Sequence, residues 1–185
     1  MSTLVGVALL AAGLTAGGRA IAGGGASCIP PDAIFAADAA GTKVRMTVGY
    51  ERNPAPELDN IGTEYRGVNA LGDPIGGGSA CGDPNRWETL TLYVGDGRDS
   101  IRMDGRKPEV LSGDPMARFV VVTAHGGSGA DRLRGHGGRD TIYGEGGSDV
   151  IRVAGGRADV ADCGPGNDTA YLSGADHAVG CEHKN

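Results

Sequence analysis

A nine-residue repeat in the C-terminal half of the chain limits its fold more than any other feature of the sequence. Three consecutive units follow the pattern G-G-x-G-x-D-x-U-x, in which U is a large apolar residue: Gly126–Arg134, Gly135–Tyr143 and Gly144–Arg152. The first unit matches every specified position, and the second and third each lack one glycine. A short fixed period of this kind is typical of a solenoid built from stacked coils.

Each part of the unit has a physical role. Glycine permits the positive φ angles of a tight loop and lets one backbone approach another closely. The three residues after each aspartate predict a short strand whose middle side chain points inward, which is Leu133, Ile142 or Ile151. Two loops and two strands make one coil of 18 residues, so aspartates two units apart lie on the same side of successive coils. We therefore expect Asp131 to stack on Asp149.

These units resemble the haemolysin-type calcium-binding repeat family, also called RTX repeats. The resemblance implies an all-β fold built as a parallel β-roll, which is a right-handed β-helix of glycine-rich nonapeptide repeats. It also implies Ca²⁺ as the cofactor. Ca²⁺ takes about six to eight oxygen ligands, more than one loop can supply, so adjacent coils are expected to share each ion.

The predicted metal ligands are aspartate carboxylates with glycine carbonyls nearby. They are Asp131, Asp140, Asp149 and Asp168, with Asp159 as a weaker candidate, and the backbone carbonyls of Gly127, Gly129, Gly138 and Gly147. Without Ca²⁺ the stacked carboxylates repel one another and the glycine loops recover conformational entropy. We therefore expect residues 126–177 to be disordered or loosely collapsed until external calcium near millimolar concentration folds them.

The repeat drifts on both sides of these units. The fourth aspartate, Asp159, comes one residue later than the period requires, which predicts one inserted residue in that coil. Asp149 can still face Asp168 if the insertion forms a bulge. Upstream, Val94–Arg102 also fits the G-x-G-x-D-x-U core and predicts an irregular first coil, completed by a strand over residues 119–123.

Residues 1–22 resemble an export signal, with an apolar run, small residues and an A-x-A sequence that ends at Ala22. A buried helix is the alternative for this run, which is shorter than the ~20 residues that span a bilayer. Residues 23–86 predict a small irregular β lead-in, and residues 87–185 the calcium-binding roll. Two stretches alternate polar and apolar residues as half-buried strands do: 43–48 and 88–94.

The chain has four cysteines, and no C-x-x-C pair that could hold zinc. Export to an oxidising compartment favours two disulfides, and the nearest-neighbour pairing is Cys28–Cys81 with Cys163–Cys181. The second pair is 18 residues apart, which is one full coil, and stacked turns lie close enough for a disulfide. Pairing of Cys181 with Cys28 is the rival connectivity, and free buried thiols are the other alternative.

The net charge of −6 and the pI near 5.1 argue against a nucleic-acid partner, because a phosphate backbone demands clustered Lys and Arg. Cationic partners suit this charge better. His125 and His136 lie in or beside the predicted loops, but a hard, oxygen-seeking ion does not select imidazole. We therefore expect both rings to be exposed to solvent.

The sequence contains no H-E-x-x-H, G-x-S-x-G or P-loop motif. We therefore expect a secreted, extracellular calcium-binding protein that is not an enzyme. Two alternatives stay open. In one, residues 23–86 recognise a surface, a sugar or another protein, and the roll is their stalk. In the other, the chain is the remnant of a secreted hydrolase whose candidate carboxylates are Asp73, Asp83 and Glu88.

Overall fold

The computed structural model describes residues 25–29, 32–37, 41–51, 60–69, 74–81, 89–103, 121–153 and 158–185. In these ranges every regular element is a β-strand, and none of the described residues belongs to a helix that could cross a membrane. The strands are β1 (Gly25–Ile29), β2 (Asp32–Ala36), β3 (Gly41–Glu51), β4 (Asn60–Asn69), β5 (Pro74–Cys81), β6 (Thr89–Tyr93), β7 (Ser100–Met103), β8 (Val121–His125), β9 (Ser128–Gly129), β10 (Arg132–Arg134), β11 (Asp140–Tyr143), β12 (Gly146–Gly147), β13 (Val150–Arg152), β14 (Val160–Asp162), β15 (Thr169–Tyr171), β16 (His177–Val179) and β17 (His183–Lys184).

Most of these strands belong to two long sheets. Sheet A has the order β1-β2-β6-β8-β11-β14-β16, and sheet B has the order β17-β15-β13-β10-β7-β3-β4-β5. Pairing is parallel from β2 to β16 in sheet A and from β3 to β17 in sheet B. The chain passes from one sheet to the other and back, so one strand of each sheet makes a coil. This architecture is the parallel β-roll that the repeat predicts.

The two sheets share one core because each strand turns a row of apolar side chains inward. Leu133, Ile142 and Ile151, the predicted inward residues of the repeats, are at most 1% exposed. The alternating stretches behave in the same way, since Leu90 and Leu92 in β6, and Val44 and Met46 in β3, are also buried. One apolar side chain at the centre of each short strand is therefore enough to hold the sheets together.

The spacing between stacked aspartates shows the predicted one-residue insertion. Asp131 lies 18 residues before its neighbour in the next coil, Asp149, but Asp149 lies 19 residues before Asp168. The same extra residue separates Asp140 from Asp159 on the other side of the roll. The pairing continues through it, with β13 next to β15 and β11 next to β14. Asp149 therefore faces Asp168 as expected.

Both sheets extend upstream of the nonapeptide units. β2 pairs in parallel with β6, and β3 pairs in parallel with β7, so β2 and β3 form a coil before the segment Val94–Arg102. The prediction that this segment is the first coil is therefore wrong. Its completing strand is β8, which begins at Val121, and Phe119 and Val120 lie outside the described residues. The proposed division of the chain between residues 86 and 87 stays a prediction.

Antiparallel strands close the N-terminal end of the roll. β1 pairs with β2 in sheet A, while β4 and β5 continue sheet B from β3. β1 also lies against β5. Cys28 in β1 is disulfide-bonded, and Cys81 is the last residue of β5, so the predicted Cys28–Cys81 pairing is compatible with this arrangement and stays a prediction.

The C-terminal end of the roll has a thinner core and a covalent staple. The buried residues at the centres of the last strands are Ala161, Ala170 and Ala178, whose burial contributes much less than that of Leu or Ile. Cys163 and Cys181 form the predicted disulfide, with their Cα atoms 5.2 Å apart. The expectation that they occupy equivalent positions is wrong by one residue, because Val160 pairs with His177 and the last coil is shorter. A bond closing a loop of this length contributes about 3 kcal/mol in the chain-entropy model.

Two adjacent glycines of one loop allow a test of the stacking. A Cβ on Gly147 would lie 1.3 Å from the Gly129 carbonyl oxygen, and its φ of 145° is unfavourable for any other residue, whereas a Cβ on Gly146 would meet no atom within 4 Å. We expect Gly147→Ala to lower the free energy of unfolding by about 1–3 kcal/mol or more, since the coils must separate locally. Gly146→Ala is the matched control and should be close to neutral. Equal urea midpoints for the two variants would contradict this packing.

Candidate functional site

The loops that lead from sheet A to sheet B lie above one another along one side of the roll. Their residues are 94–99, 126–131, 144–149, 163–168 and 180–182. The same backbone conformation recurs at one position in four of them, with φ values of 87°, 86°, 69° and 78° at Gly95, Gly127, Glu145 and Gly164. Glu145 replaces a repeat glycine in the third unit, and it adopts the left-handed conformation although it is not a glycine. The loops therefore keep one shape despite this substitution.

The last residue of each loop contributes to a continuous column of acidic side chains, which we call the long carboxylate column: Asp99, Asp131, Asp149, Asp168 and Glu182. In the last four, one carboxylate oxygen accepts a hydrogen bond from the backbone N–H of the acidic residue one coil earlier. The N···O distances are 2.7 Å from Asp99 to Asp131, 2.8 Å from Asp131 to Asp149, 2.7 Å from Asp149 to Asp168 and 2.7 Å from Asp168 to Glu182. Asp99 accepts from the N–H of Val44 in the coil before it.

The second carboxylate oxygens of this column are buried without a partner. Oδ2 of Asp99, Asp131, Asp149 and Asp168 has no hydrogen-bond donor in the described structure. These four residues are at most 2% exposed, so water does not compensate them. A buried charged oxygen without a partner is costly, and a bound cation is one of the few groups that satisfies several of them at once.

Backbone carbonyls lie beside these unpaired oxygens. A Cβ on Gly144 would lie 2.6 Å from Asp149 Oδ2 and 2.6 Å from the carbonyl oxygen of Cys163 in the next coil. A Cβ on Gly126 would lie 2.8 Å from Asp131 Oδ2 and 2.8 Å from the Gly144 carbonyl oxygen. Each of these two Cβ positions thus lies between a carboxylate of one coil and a carbonyl of the next. Carboxylate and carbonyl oxygens are the ligands of a hard, oxygen-seeking cation such as Ca²⁺.

The electrostatics of the long carboxylate column disfavour its ionised form. Burial raises the pKa of Asp99 from 3.8 to about 7, and the pKa of Asp131 and Asp149 from 3.8 to about 6. The backbone N–H that each carboxylate accepts lowers its pKa, while the carboxylate of the next coil raises it. The pKa of Asp168 is also raised by burial. Positive charge between the coils would remove this penalty.

A second column lies on the opposite side of the roll, and we call Asp140, Asp159 and Asp176 the short carboxylate column. Asp159 accepts from the N–H of Asp140 at 2.8 Å, and Asp176 from the N–H of Asp159 at 3.1 Å. Asp159 Oδ2 is buried without a partner, and burial raises the pKa of Asp159 to about 6. This side repeats the arrangement of the long column over fewer coils.

Asp140 differs from every other aspartate of the columns. Its Oδ2 accepts from the backbone N–H of His136 at 2.8 Å, and its Oδ1 contacts the Nδ1 of the same ring. His136 is only 3% exposed, and its ring covers the position that a Cβ on Gly138 would occupy. The predicted ligands Asp140 and Gly138 thus sit beside a buried imidazole, and their role as ligands stays a prediction.

The expectation that both histidine rings are exposed is wrong for His136, and the His125 ring is only partly exposed. His136 is buried against Asp140, as described above. The side chain of His125 is 22% exposed and stacks between Tyr93 and Tyr143, with ring centroids 4.5 Å and 5.0 Å away. Its Nδ1 lies 2.9 Å from Glu145 Oε1. Each ring contacts specific partners that its position in the sequence does not predict.

The other predicted carbonyl ligands belong to the long-column loops. The Gly127 and Gly129 carbonyls accept hydrogen bonds from the N–H groups of Gly146 and Ser148, at 2.9 Å and 3.1 Å. Gly147 stands opposite Gly129 in the β9–β12 pair. These three glycines therefore line the narrow space between consecutive loops, and their role as ligands also stays a prediction.

Three acidic residues complete the columns without having been predicted as ligands. Asp99 had a signal in the sequence, since Gly95-Asp96-Gly97-Arg98-Asp99 follows the repeat core. Asp176 and Glu182 had none, because their loops lack the glycine pattern. No group of three or more His, Cys, Asp or Glu side chains is close enough to hold a metal in the described part of the chain. Any ion here would depend on backbone carbonyls as much as on carboxylates.

Comparison with protein families gives a match over part of the site. Residues 125–158 match the family model described as the RTX calcium-binding nonapeptide repeat, in four copies. We call these matched residues the RTX stretch. The RTX stretch contains Asp131, Asp140 and Asp149, and the long carboxylate column continues beyond it at both ends, to Asp99 and Glu182. Repeats of this family indicate calcium binding. No curated protein and no solved structure matches the chain.

The raised pKa values predict an unusual pH dependence for calcium-free protein. Between the ordinary pKa of 3.8 and the folded values of about 6 to 7, the folded state binds more protons than the unfolded state. Stability is therefore fully present below about pH 4 and is lost as the pH rises through about 6 to 7. In chelator, the urea midpoint should be higher at pH 5 than at pH 7.5.

Asp131→Asn provides the control for this prediction. Asparagine keeps an oxygen for the N–H of Asp99 but removes the charge that burial disfavours. In chelator at pH 7.5 this variant should be more stable than the parent protein, and its stability should vary less with pH. A calcium-free parent protein that is more stable at pH 7.5 than at pH 5 would contradict the assignment.

Proposed function

We propose that this chain is a secreted calcium-binding protein whose roll is completed by Ca²⁺ ions between successive coils. The single observation that carries this proposal is the row of buried, unpaired Oδ2 atoms in the long carboxylate column. Those of Asp131 and Asp149 lie near a carbonyl of the next loop, at Gly144 and Cys163 respectively. Calcium is the ion that this donor set and the RTX repeats both favour.

The residues that would hold the ions are those of the long carboxylate column, with the Gly144 and Cys163 carbonyls as neighbours. Bound Ca²⁺ would supply the positive charge that lets consecutive carboxylates stay ionised while stacked. The chain's own contribution is to align one carboxylate per coil through the hydrogen bond from the preceding N–H, as between Asp131 and Asp149. Calcium binding and coil stacking are then one equilibrium.

Secretion is part of the same proposal. The export-like residues 1–22 support it, and so does the Cys163–Cys181 disulfide, since such bonds persist in oxidising compartments. External calcium near millimolar concentration would saturate sites of the affinity expected for extracellular modules. A protein of this kind would fold fully only after it leaves the calcium-poor cytosol.

We also propose that the chain is not an enzyme, on the ground that its sequence lacks the motifs of the common hydrolases and phosphate-binding enzymes. Hydrolysis of a glycan or peptide by the mature protein, lost in Glu88→Gln, would overturn this.

A calcium titration followed by far-UV circular dichroism tests the proposal. We expect chelated protein at pH 7.5 to gain β-signal and a higher melting temperature as calcium rises to about 10⁻⁴–10⁻³ M. Asp149→Asn should weaken the apparent calcium affinity by about tenfold or more, because it removes one charge from the column.

Asp96→Asn is the matched control for that substitution. Asp96 is an exposed loop carboxylate that accepts a hydrogen bond from the Ser128 hydroxyl at 2.6 Å, which asparagine can also do. Its calcium midpoint should stay within about twofold of the parent value. Identical spectra and melting temperatures with calcium and with chelator would overturn the proposed function.

A further inference from the structure

The outer face of sheet B carries a row of arginines in an acidic protein. Arg102 in β7, Arg134 in β10 and Arg152 in β13 occupy paired positions on three consecutive coils. A second row runs parallel to the first, two residues earlier along the strands. In this row Arg45 lies opposite Ser100, and Ser100 lies opposite Arg132. All five arginine side chains are exposed. We call this surface the arginine face.

Local charge on the arginine face is opposite to that of the whole chain. The outward positions of β7, β10, β13 and β15 carry no Asp or Glu in the described structure; besides arginines they carry Ser100, Val150, Thr169 and Tyr171. The net charge of the chain is −6. A strip of one sign on a protein of the other sign concentrates attraction for an anion at one place.

The arginine face forms a groove that is open to solvent. Arg45, Arg102, Arg132, Arg134 and Arg152 line it together with Thr47 and Ser100, and its volume is about 580 Å³. This is within the range of roughly 300–1,000 Å³ found for ligand sites. The row runs along the roll axis, with one coil every ~4.8 Å. A linear polymer can therefore meet a new arginine at each step along its length.

We propose that the arginine face binds a linear acidic polysaccharide that carries a carboxylate on each sugar. A guanidinium group holds a carboxylate through two parallel hydrogen bonds, and the rows repeat at about the length of one pyranose ring. Ser100 lies between Arg45 and Arg132, and Thr47 lies beside Arg102, so both hydroxyls can meet sugar hydroxyls. Tyr171 ends the first row under the Arg152 guanidinium, 4.4 Å from its ring centroid, and offers an aromatic face.

Other polyanions fit this surface less well. A lipid membrane favours apolar side chains around its basic residues. The described part of the face offers Val150 and Tyr171, whereas Ile101 and Leu133 of the groove lining are buried in the core. A nucleic-acid duplex is wider than the strip, and its phosphates would approach the exposed acidic loop residues Asp96 and Glu145 beside the sheet. A single extended chain can follow the arginines without meeting these carboxylates.

Fluorescence anisotropy with a labelled oligogalacturonate tests the inference, using the full chain at a calcium concentration that keeps it folded. We expect the parent protein to bind the oligogalacturonate but not a neutral dextran oligomer, with affinity that falls as the ionic strength rises to about 0.15 M. Arg132→Gln/Arg134→Gln should weaken binding at least about tenfold. Arg132→Lys/Arg134→Lys keeps the charge and should lose less.

The matched control is Arg139→Gln, compared with Arg134→Gln alone, because Arg139 is an exposed arginine just before β11 in sheet A and so lies away from the arginine face on sheet B. It should bind within about twofold of the parent protein, and circular dichroism should show all variants equally folded. Equal weakening in Arg134→Gln and Arg139→Gln, or no binding by the parent protein, would overturn the inference. Tighter binding of heparin, duplex DNA or phosphatidylglycerol vesicles than of oligogalacturonate would also overturn the choice of ligand.

Discussion

The stacking of ionisable carboxylates at the spacing of a β-ladder is the constraint on which the rest of the roll depends. Each aspartate of the long carboxylate column ties two coils together, because it accepts the N–H of the residue one coil earlier. The same hydrogen bond holds like charges in successive layers of a buried site, where burial first and the neighbouring carboxylate second raise their pKa. The backbone hydrogen bonds that hold the coils together and the like charges that repel one another therefore both recur once per coil. A cation between the coils neutralises the charges and leaves the hydrogen bonds in place.

Glycine in the loops follows from that spacing. A side chain at Gly129 or Gly147 would collide with the carbonyl oxygen of the preceding loop, so only glycine allows the carboxylates to stack at one coil per layer. The core needs fewer specific residues, since one buried side chain per short repeat strand, such as Leu133 or Ile151, fills the space between the sheets. Large aromatic residues are therefore unnecessary, and the chain has only two Phe and one Trp.

The features that could be predicted from the sequence are those that recur with the nine-residue repeat. The period of nine predicted the inward residues, the stacking of Asp131 on Asp149 and the bond between Cys163 and Cys181. It could not predict contacts that depend on interruptions: Asp99 meets Asp131 across 32 residues, and Glu182 meets Asp168 across 14. The burial of His136 depends on an aspartate four residues away in an open loop, where sequence alone gives no reason to prefer that partner over water.

One nonapeptide unit produces both charged surfaces of the roll. In the first unit, Asp131 ends the loop and is buried in the column, whereas Arg132 and Arg134 flank the inward Leu133 and so face outward. Alternation along a strand thus separates the two signs of charge by the thickness of one sheet. The arginines come into line only when consecutive coils are in register, and that register is held by the aspartates. Any ion that stabilises the column therefore also assembles the basic face, although it never touches an arginine.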